Sequence, residues 1–261
     1  MAEPEFFFIV PYRNRLPHLE VFMNHMEKLL EDLKYKILIC HQCDNRPFNR
    51  GAMKNIGFKY VKDNYPKTYK NKTLVFNDVD NVVALKHLAN WKTEKGTVKH
   101  FYGADVKKAG ALGGIFSING EDFEKTNGFP NYWAWGYEDN AMYWRVKHAD
   151  LKIDYSQFSE MGTDKVVVFW HGTNRMVNEA DTWSKFKLEV RKSGWKGEGL
   201  HEITGLTYEK IQARKNIIAV NIKDFKTPTL IPKLVKREPK GSFVHQDTIT
   251  NYNNVFGKIF N

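Results

Sequence analysis

Residues 5–40 read EFFFIVPYRNRLPHLEVFMNHMEKLLEDLKYKILIC. Glu5 to Val10 is an almost unbroken apolar run, the pattern of a strand covered on both faces. Pro17 then opens a segment in which Leu19, Phe22, Met26, Leu29 and Leu33 recur every three to four residues, which predicts an amphipathic helix. Tyr35 to Cys40 is apolar again and predicts a second strand. Strand, helix and strand in this order make the unit of a parallel sheet, because the helix supplies the crossover that parallel neighbours require.

Outward from this unit the alternation continues. Gly51 to Lys62 carries Met53, Ile56, Tyr60 and Val61 at helical spacing, and Thr73 to Phe76 is a third strand running into Asn77-Asp78-Val79-Asp80. The second half is less regular: Leu112 to Ile118 and Lys165 to Trp170 read as strands, Glu138 to His148 and Thr182 to Lys192 as helices, and Ile217 to Ile222 as the last strand. Between them Asn127 to Tyr137 is a loop dense in glycine, proline, asparagine and aromatic residues. The expected architecture is an α/β domain over residues 1–226 with a mostly parallel sheet and helices on its faces. Three prolines and many basic residues after Lys226 predict a loosely packed tail over 227–261.

With 261 residues, 42% of them hydrophobic, the chain can bury a sizeable core. Its net charge of +10 favours anionic partners. The basic residues are scattered, and the aromatic residues follow apolar runs instead of alternating with basic ones, which argues against a nucleic-acid binder. No stretch approaches the roughly 18 apolar residues of a membrane span, and the acidic start MAEPEFFFIV lacks the form of a signal peptide. A cytoplasmic or otherwise soluble protein is expected. Cys40 and Cys43 have C-x-x-C spacing without a second pair, so they read as ordinary residues at a strand end.

Ligands of an open parallel sheet sit beyond the carboxyl ends of its strands. After the first strand comes Pro11-Tyr12-Arg13-Asn14-Arg15, whose guanidiniums suit diphosphate oxygens, although such a pair also occurs in solvated turns. Phe48-Asn49-Arg50-Gly51 adds a third arginine after the second strand. After the third, Asp78 and Asp80 offer hard oxygen ligands to a divalent cation, or form a bland turn. His171 closes the apolar strand of Val166 to Trp170, and an imidazole beside Asp80 would suit Mn²⁺ better than Mg²⁺. Finally, Trp133-Ala134-Trp135-Gly136-Tyr137 feeds a helix that begins with Glu138 and Asp139. Large rings among turn formers suit stacking on a sugar face, while the paired acids also complement the helix dipole.

Together these strings resemble the β-1,4-galactosyltransferase family and its β-1,4-N-acetylgalactosaminyltransferase relatives. The matching pieces are VPYRNR (10–15), FNRGAMKNIGF (48–58), FNDVDN (76–81), GGIFSINGEDFEKTNGFPNYWAWGYEDN (113–140) and the strand ending at His171. The resemblance implies a GT-A fold, a UDP-sugar donor, a glycan acceptor, Mn²⁺ and inversion at the anomeric carbon. By it Pro11, Tyr12, Arg13, Arg15, Phe48 and Arg50 hold the nucleotide, Asp78 and the pair Gly113-Gly114 meet the donor, and Asp80 and His171 bind the metal. Glu138 contacts the donor sugar or acceptor, Asp139 is the catalytic base, and Trp135 closes over the donor.

The departures carry information too. Val168, Phe169 and Thr173 stand where the family supplies a further metal ligand, Ala134 and Tyr137 replace loop glycines, and Asn140 stands where a third acid is common. Ala111 replaces a tyrosine of galactose-specific members, which implies room for a 2-acetamido group. Alternative readings are a retaining polypeptide N-acetylgalactosaminyltransferase-like enzyme and a catalytically silent UDP-sugar or glycan-binding module.

Overall fold

The computed structural model describes residues 3–103, 110–160, 162–169, 175–177, 179–191, 198–231 and 235–237. Its strands are β1 (Phe6–Tyr12), β2 (Tyr35–Gln42), β3 (Thr73–Asn77), β4 (Asn81–Val83), β5 (Thr97–Tyr102), β6 (Ile115–Asn119), β7 (Lys152–Asp154), β8 (Val166–Val168), β9 (Arg175–Val177), β10 (Thr204–Arg214), β11 (Ile217–Lys226) and β12 (Val235–Arg237). The helices are α1 (Leu16–Leu29), α2 (Arg50–Asn64), α3 (Gly120–Lys125), α4 (Glu138–His148) and α5 (Glu179–Arg191). Eight strands form one sheet in the order β10-β11-β2-β1-β3-β6-β5-β7. The stretch β11-β2-β1-β3 is parallel throughout, as the opening strand-helix-strand pattern requires. Strand β6 enters antiparallel to both β3 and β5, and β10 folds back antiparallel on β11.

Alternation along β1 explains why helices cover both faces. Phe7 and Ile9 pack with Leu38, Cys40, Met53 and Ile56 under α2, whereas Phe6, Phe8 and Val10 pack with Ile37, Ile39, Phe22 and Met26 under α1. Helix α2 approaches closely because Gly57 has no side chain: a Cβ there would stand 2.4 Å from Ile9 Cγ2 and 2.9 Å from Cys40 Sγ. Cys40 is accordingly a buried free thiol in the sheet, and Cys43 an exposed free thiol just beyond it.

Three expectations shift. The strand expected from Leu112 begins only at Ile115, since Gly114 adopts a left-handed φ of 66° and Leu112–Gly114 runs past the strand ends instead. The run Ile217 to Ile222 extends to Lys226 and is not the last strand, because β12 follows and pairs with β9. The helix expected from Thr182 starts at Glu179. Among the described residues no helix is long and apolar enough to cross a membrane.

Gly57→Ala should therefore cost about 1–3 kcal/mol of folding stability through overpacking between α2 and the sheet. Urea denaturation of the two proteins measures the difference.

Candidate active site

Strands β1 and β3 are parallel neighbours, with Ile9 opposite Phe76, so the segments after them leave the sheet on the same side. The turn after β3 is tied down locally. Asn77 donates from its side-chain amide to the carbonyls of Asp78 and Asn81, both at 2.8 Å, and the Asp78 amide donates to the Gly114 carbonyl at 3.0 Å. Asp80 thereby faces the arginine turn after β1, and Arg15 Nη1 lies 3.1 Å from its Oδ2. Asn81 donates to the other oxygen, Oδ1, at 3.0 Å.

Arg50 is placed with equal care at the start of α2. Asn49 caps that helix by accepting from the Ala52 amide at 2.9 Å, donates from its backbone N–H to Gln42 Oε1 at 2.8 Å, and donates from its side-chain amide to the Asn131 carbonyl at 2.9 Å. A side chain at Gly51 would stand 2.1 Å from the Pro130 carbonyl oxygen, so α2 and the aromatic loop pack backbone to helix.

From this fixed point the Arg50 guanidinium reaches three acids. Its Nη1 lies 3.3 Å from Asp78 Oδ2, its Nε 3.3 Å from Glu138 Oε1, and Nη2 donates to Asp139 Oδ2. One turn later Lys54 Nζ stands 3.4 Å from Asp139 Oδ1 and 3.6 Å from Asp78 Oδ1. Burial pushes both neighbouring acids of α4 up. For Asp139 the positive charges of Arg50 and then Lys54 outweigh burial and hold it below the usual carboxylate range. For Glu138 burial wins over Arg50, and the charge of Asp139 adds to the rise. Adjacent carboxyl groups are thus driven apart, with Asp139 the one kept ionised.

The Leu112–Gly114 segment lines the same pocket. Leu112 N donates to the Asp139 carbonyl at 2.9 Å, and a Cβ on Gly113 would sit 2.6 Å from Asp139 Oδ2. The aromatic loop enters α4 through Ala134, Gly136 and Tyr137, all with positive φ (67°, 148° and 57°). Tyr137 compensates for its left-handed backbone by stacking on Phe186, ring centres 5.3 Å apart. Trp135, between them, is 45% exposed, while Trp133 is anchored by stacking on Phe225 and donating to the Thr229 carbonyl at 2.9 Å.

Arg15, Arg50, Asp78, Asp80, Gly113, Gly114, Glu138 and Asp139 therefore gather as the sequence predicts. Pro11 and Tyr12 are buried at the end of β1, with the Tyr12 ring 5.1 Å from that of His41. Arg13 turns to the Arg46 carbonyl, and the Phe48 carbonyl accepts from Ala134 N at 3.0 Å. His171 lies outside the described residues. The chain leading to it is nevertheless in place, because β4 pairs with β8 and Phe169 N donates to the Asp80 carbonyl at 2.7 Å. Among the described residues no three His, Cys, Asp or Glu side chains form a metal cage. The carboxylate of Asp80 is an oxygen donor of the kind a hard divalent cation takes. Lys54 and His100 are missed by sequence reading. A lysine in a helix reads as solvated, and only its place one turn from Arg50 signals a shared face.

His100 is fully buried, and its Nε2 lies 3.0 Å from the carbonyls of both Tyr102 and Gly113. Burial pushes its pKa down to about 4.

Residues 1–88 match the family described as the N-terminal region of glycosyl transferase group 7, and residues 97–171 the N-terminal domain of galactosyltransferase. The chain is 30% identical over 210 residues to the xylosylprotein 4-β-galactosyltransferase of Caenorhabditis elegans, which covers 75% of this chain and 68% of the relative. It is 29% identical over 225 residues to human β-1,4-galactosyltransferase 4, covering 82% of this chain and 61% of that relative. Its fold is similar to the crystal structure of the Drosophila β-1,4-galactosyltransferase 7 catalytic domain with xylobiose, at a TM-score of 0.62 and 21% identity, covering 84% of this chain and 93% of the other. A mutant of that enzyme in complex with manganese, UDP-Gal and xylobiose gives a TM-score of 0.64 at 22% identity, with the same coverage.

The unfolded chain protonates His100 near 6.5 and the folded chain only near 4. Stability from this group is thus complete above pH 6.5 and is lost as pH falls through the window between those values. Urea denaturation should show a loss of about 2 kcal/mol between pH 7 and pH 5 that is absent in His100→Asn.

Proposed function

Because the chain belongs to the β-1,4-galactosyltransferase family, we propose that it is an inverting, metal-dependent galactosyltransferase that moves the sugar of a UDP-sugar onto a glycan hydroxyl with formation of a β-linkage. The observation that carries this reading is the convergence of Arg50, Asp78, Glu138 and Asp139 beside the Arg15–Asp80 pair at the carboxyl ends of β1 and β3. Arginines there suit a diphosphate, and acids there suit a cation and a proton.

In the reaction Asp139 accepts the proton of the acceptor hydroxyl as that oxygen bonds to the anomeric carbon from the face opposite UDP. Its carboxylate is ionised at neutral pH, which a base requires, and Arg50 and Lys54 aim its two oxygens. Glu138, buried beside Arg50, orients a sugar hydroxyl. Asp80 and His171 would hold Mn²⁺, which when bound stabilises the charge that gathers on the departing diphosphate. Arg15, which pairs with Asp80, adds positive charge on the same diphosphate, whereas Arg13 is held by the Arg46 carbonyl. Trp135, exposed on a loop of left-handed residues, covers the donor and excludes water that would otherwise hydrolyse it. Ala111, half-buried just ahead of the Gly113-Gly114 turn, leaves room for a 2-acetamido group, so UDP-GalNAc stands beside UDP-galactose as a donor.

A donor screen with UDP-galactose, UDP-GalNAc, UDP-GlcNAc and UDP-glucose tests this. Mn²⁺-dependent UDP release from the first or second is expected, with proton NMR of the transferred sugar showing a β-anomeric linkage. Asp139→Asn should lower kcat about 10²- to 10⁴-fold while UDP binding persists. An α-linkage would favour the retaining reading, and no turnover with any donor would favour a silent binding module.

A further inference from the structure

Lys54 is 1% exposed on the inner face of α2, and its ammonium is held between two acids and the face of the Phe129 ring, 4.5 Å from the ring centre. A lysine is almost never fully buried unless its charge has a task, because desolvating an ammonium is costly and an apolar side chain would fill the same space without that cost. Lys54 plays no part in the cap of the helix, which Asn49 supplies through the Ala52 amide. Its polar partners are Asp78 and Asp139. Arg50 already binds both of them together with Glu138, so a single guanidinium faces three carboxyl groups.

We propose that Lys54 is a positioning residue: the second buried cation at the floor of the pocket, which fixes Oδ1 of Asp139 and leaves Oδ2 on the side of Arg50 and Gly113, where an acceptor hydroxyl arrives. This rests on the reading of Asp139 as the base. Among the described residues, the groups facing Asp139 are Arg50 and Lys54 from α2, Asp78 from the end of β3, Glu138 from its own helix, and His100 from β5, which feels the Asp139 charge. Of these, only Arg50 and Lys54 are cations. Arg50 is shared among three acids, so its hold on Asp139 is divided. Lys54, 1% exposed, is shared between two and stands 3.4 Å from Asp139 Oδ1. The acid side of the activity profile is thus set from below by a residue that never touches substrate.

The test compares wild type with Lys54→Met, which keeps the length of the side chain, and with Lys54→Gln, which keeps a polar tip. Initial rates are measured from pH 3 to 8 with saturating donor. In both variants the acid limb of kcat should move up by about one pH unit or more, so that the deficit is about tenfold low on the acid limb and vanishes toward neutral pH. A uniform loss at every pH would mean that Lys54 only packs, and would overturn the proposal. In parallel, the Asp139 carboxyl carbon, assigned by its disappearance in Asp139→Asn, is titrated by NMR without any ligand. A higher proton affinity in Lys54→Met, by about tenfold or more, is expected, and an unchanged titration would contradict it. Should wild type transfer no sugar at all, the enzymatic reading falls, while this titration still decides whether Lys54 governs Asp139.

Discussion

Three carboxyl groups from two distant stretches of chain do not share a desolvated pocket unless a cation stands among them, and here that cation is Arg50. The guanidinium suits the task because its planar fork carries five donors in a fixed geometry, where an ammonium has three on a compact point charge. Most of the surrounding structure can be understood as holding this one group still. Asn49 caps α2 and ties its first turn to β2 through Gln42 and to the aromatic loop through Asn131. Gly57 lets the same helix settle onto the sheet, and Gly51 lets the loop before α4 cross its start. Removing Arg50 would leave Lys54 as the remaining described cation beside Asp78 and Asp139 and take the paired charge from Glu138, a defect of the kind that costs several kcal/mol.

The loop from Trp133 to Tyr137 shows how the fold joins rigidity to freedom. Trp133 at one end is locked by Phe225 and Thr229, and Tyr137 at the other by Phe186. Between them the backbone takes left-handed conformations at Ala134 and Tyr137, where a glycine would be at ease and a side chain stores strain of about 1–2 kcal/mol each. The exposed Trp135 sits on a segment anchored at both ends and strained in the middle, which suits a cover that moves as a unit.

The parallel half of the fold was legible because its strands are buried on both faces and read as apolar runs, and because α1 and α2 bring their own periodicity. Helix α4 was legible to its last residue, Glu138 to His148, since turn formers end abruptly where it starts. Strand β5 (TVKHFY) is mostly buried but escaped notice because Lys99 and His100 interrupt its apolar residues, and β10 escaped for the opposite reason. In β10 (TGLTYEKIQAR) nearly every side chain is exposed or half-buried, as befits the edge of the sheet, so no apolar stripe marks it. The antiparallel entry of β6 was equally invisible, because strand direction is settled by connections and not by side-chain pattern. At the site, charge type revealed Arg50, Asp78, Asp80, Glu138 and Asp139. What sequence could not reveal was that Arg13 turns to a backbone carbonyl, and that Lys54 points inward.

The account stands on the claim that the arginine turn, Asp80 and the Glu138-Asp139 helix start form one binding pocket. The most direct measurement is a crystal structure of the protein grown with UDP and Mn²⁺. The account predicts the diphosphate between Arg15 and Asp80, with the cation on Asp80 and His171 and the Asp139 carboxylate facing the open end of the diphosphate. Nucleotide bound elsewhere on the molecule, or Asp139 turned away from it behind an unbroken Arg50 pair, would contradict it.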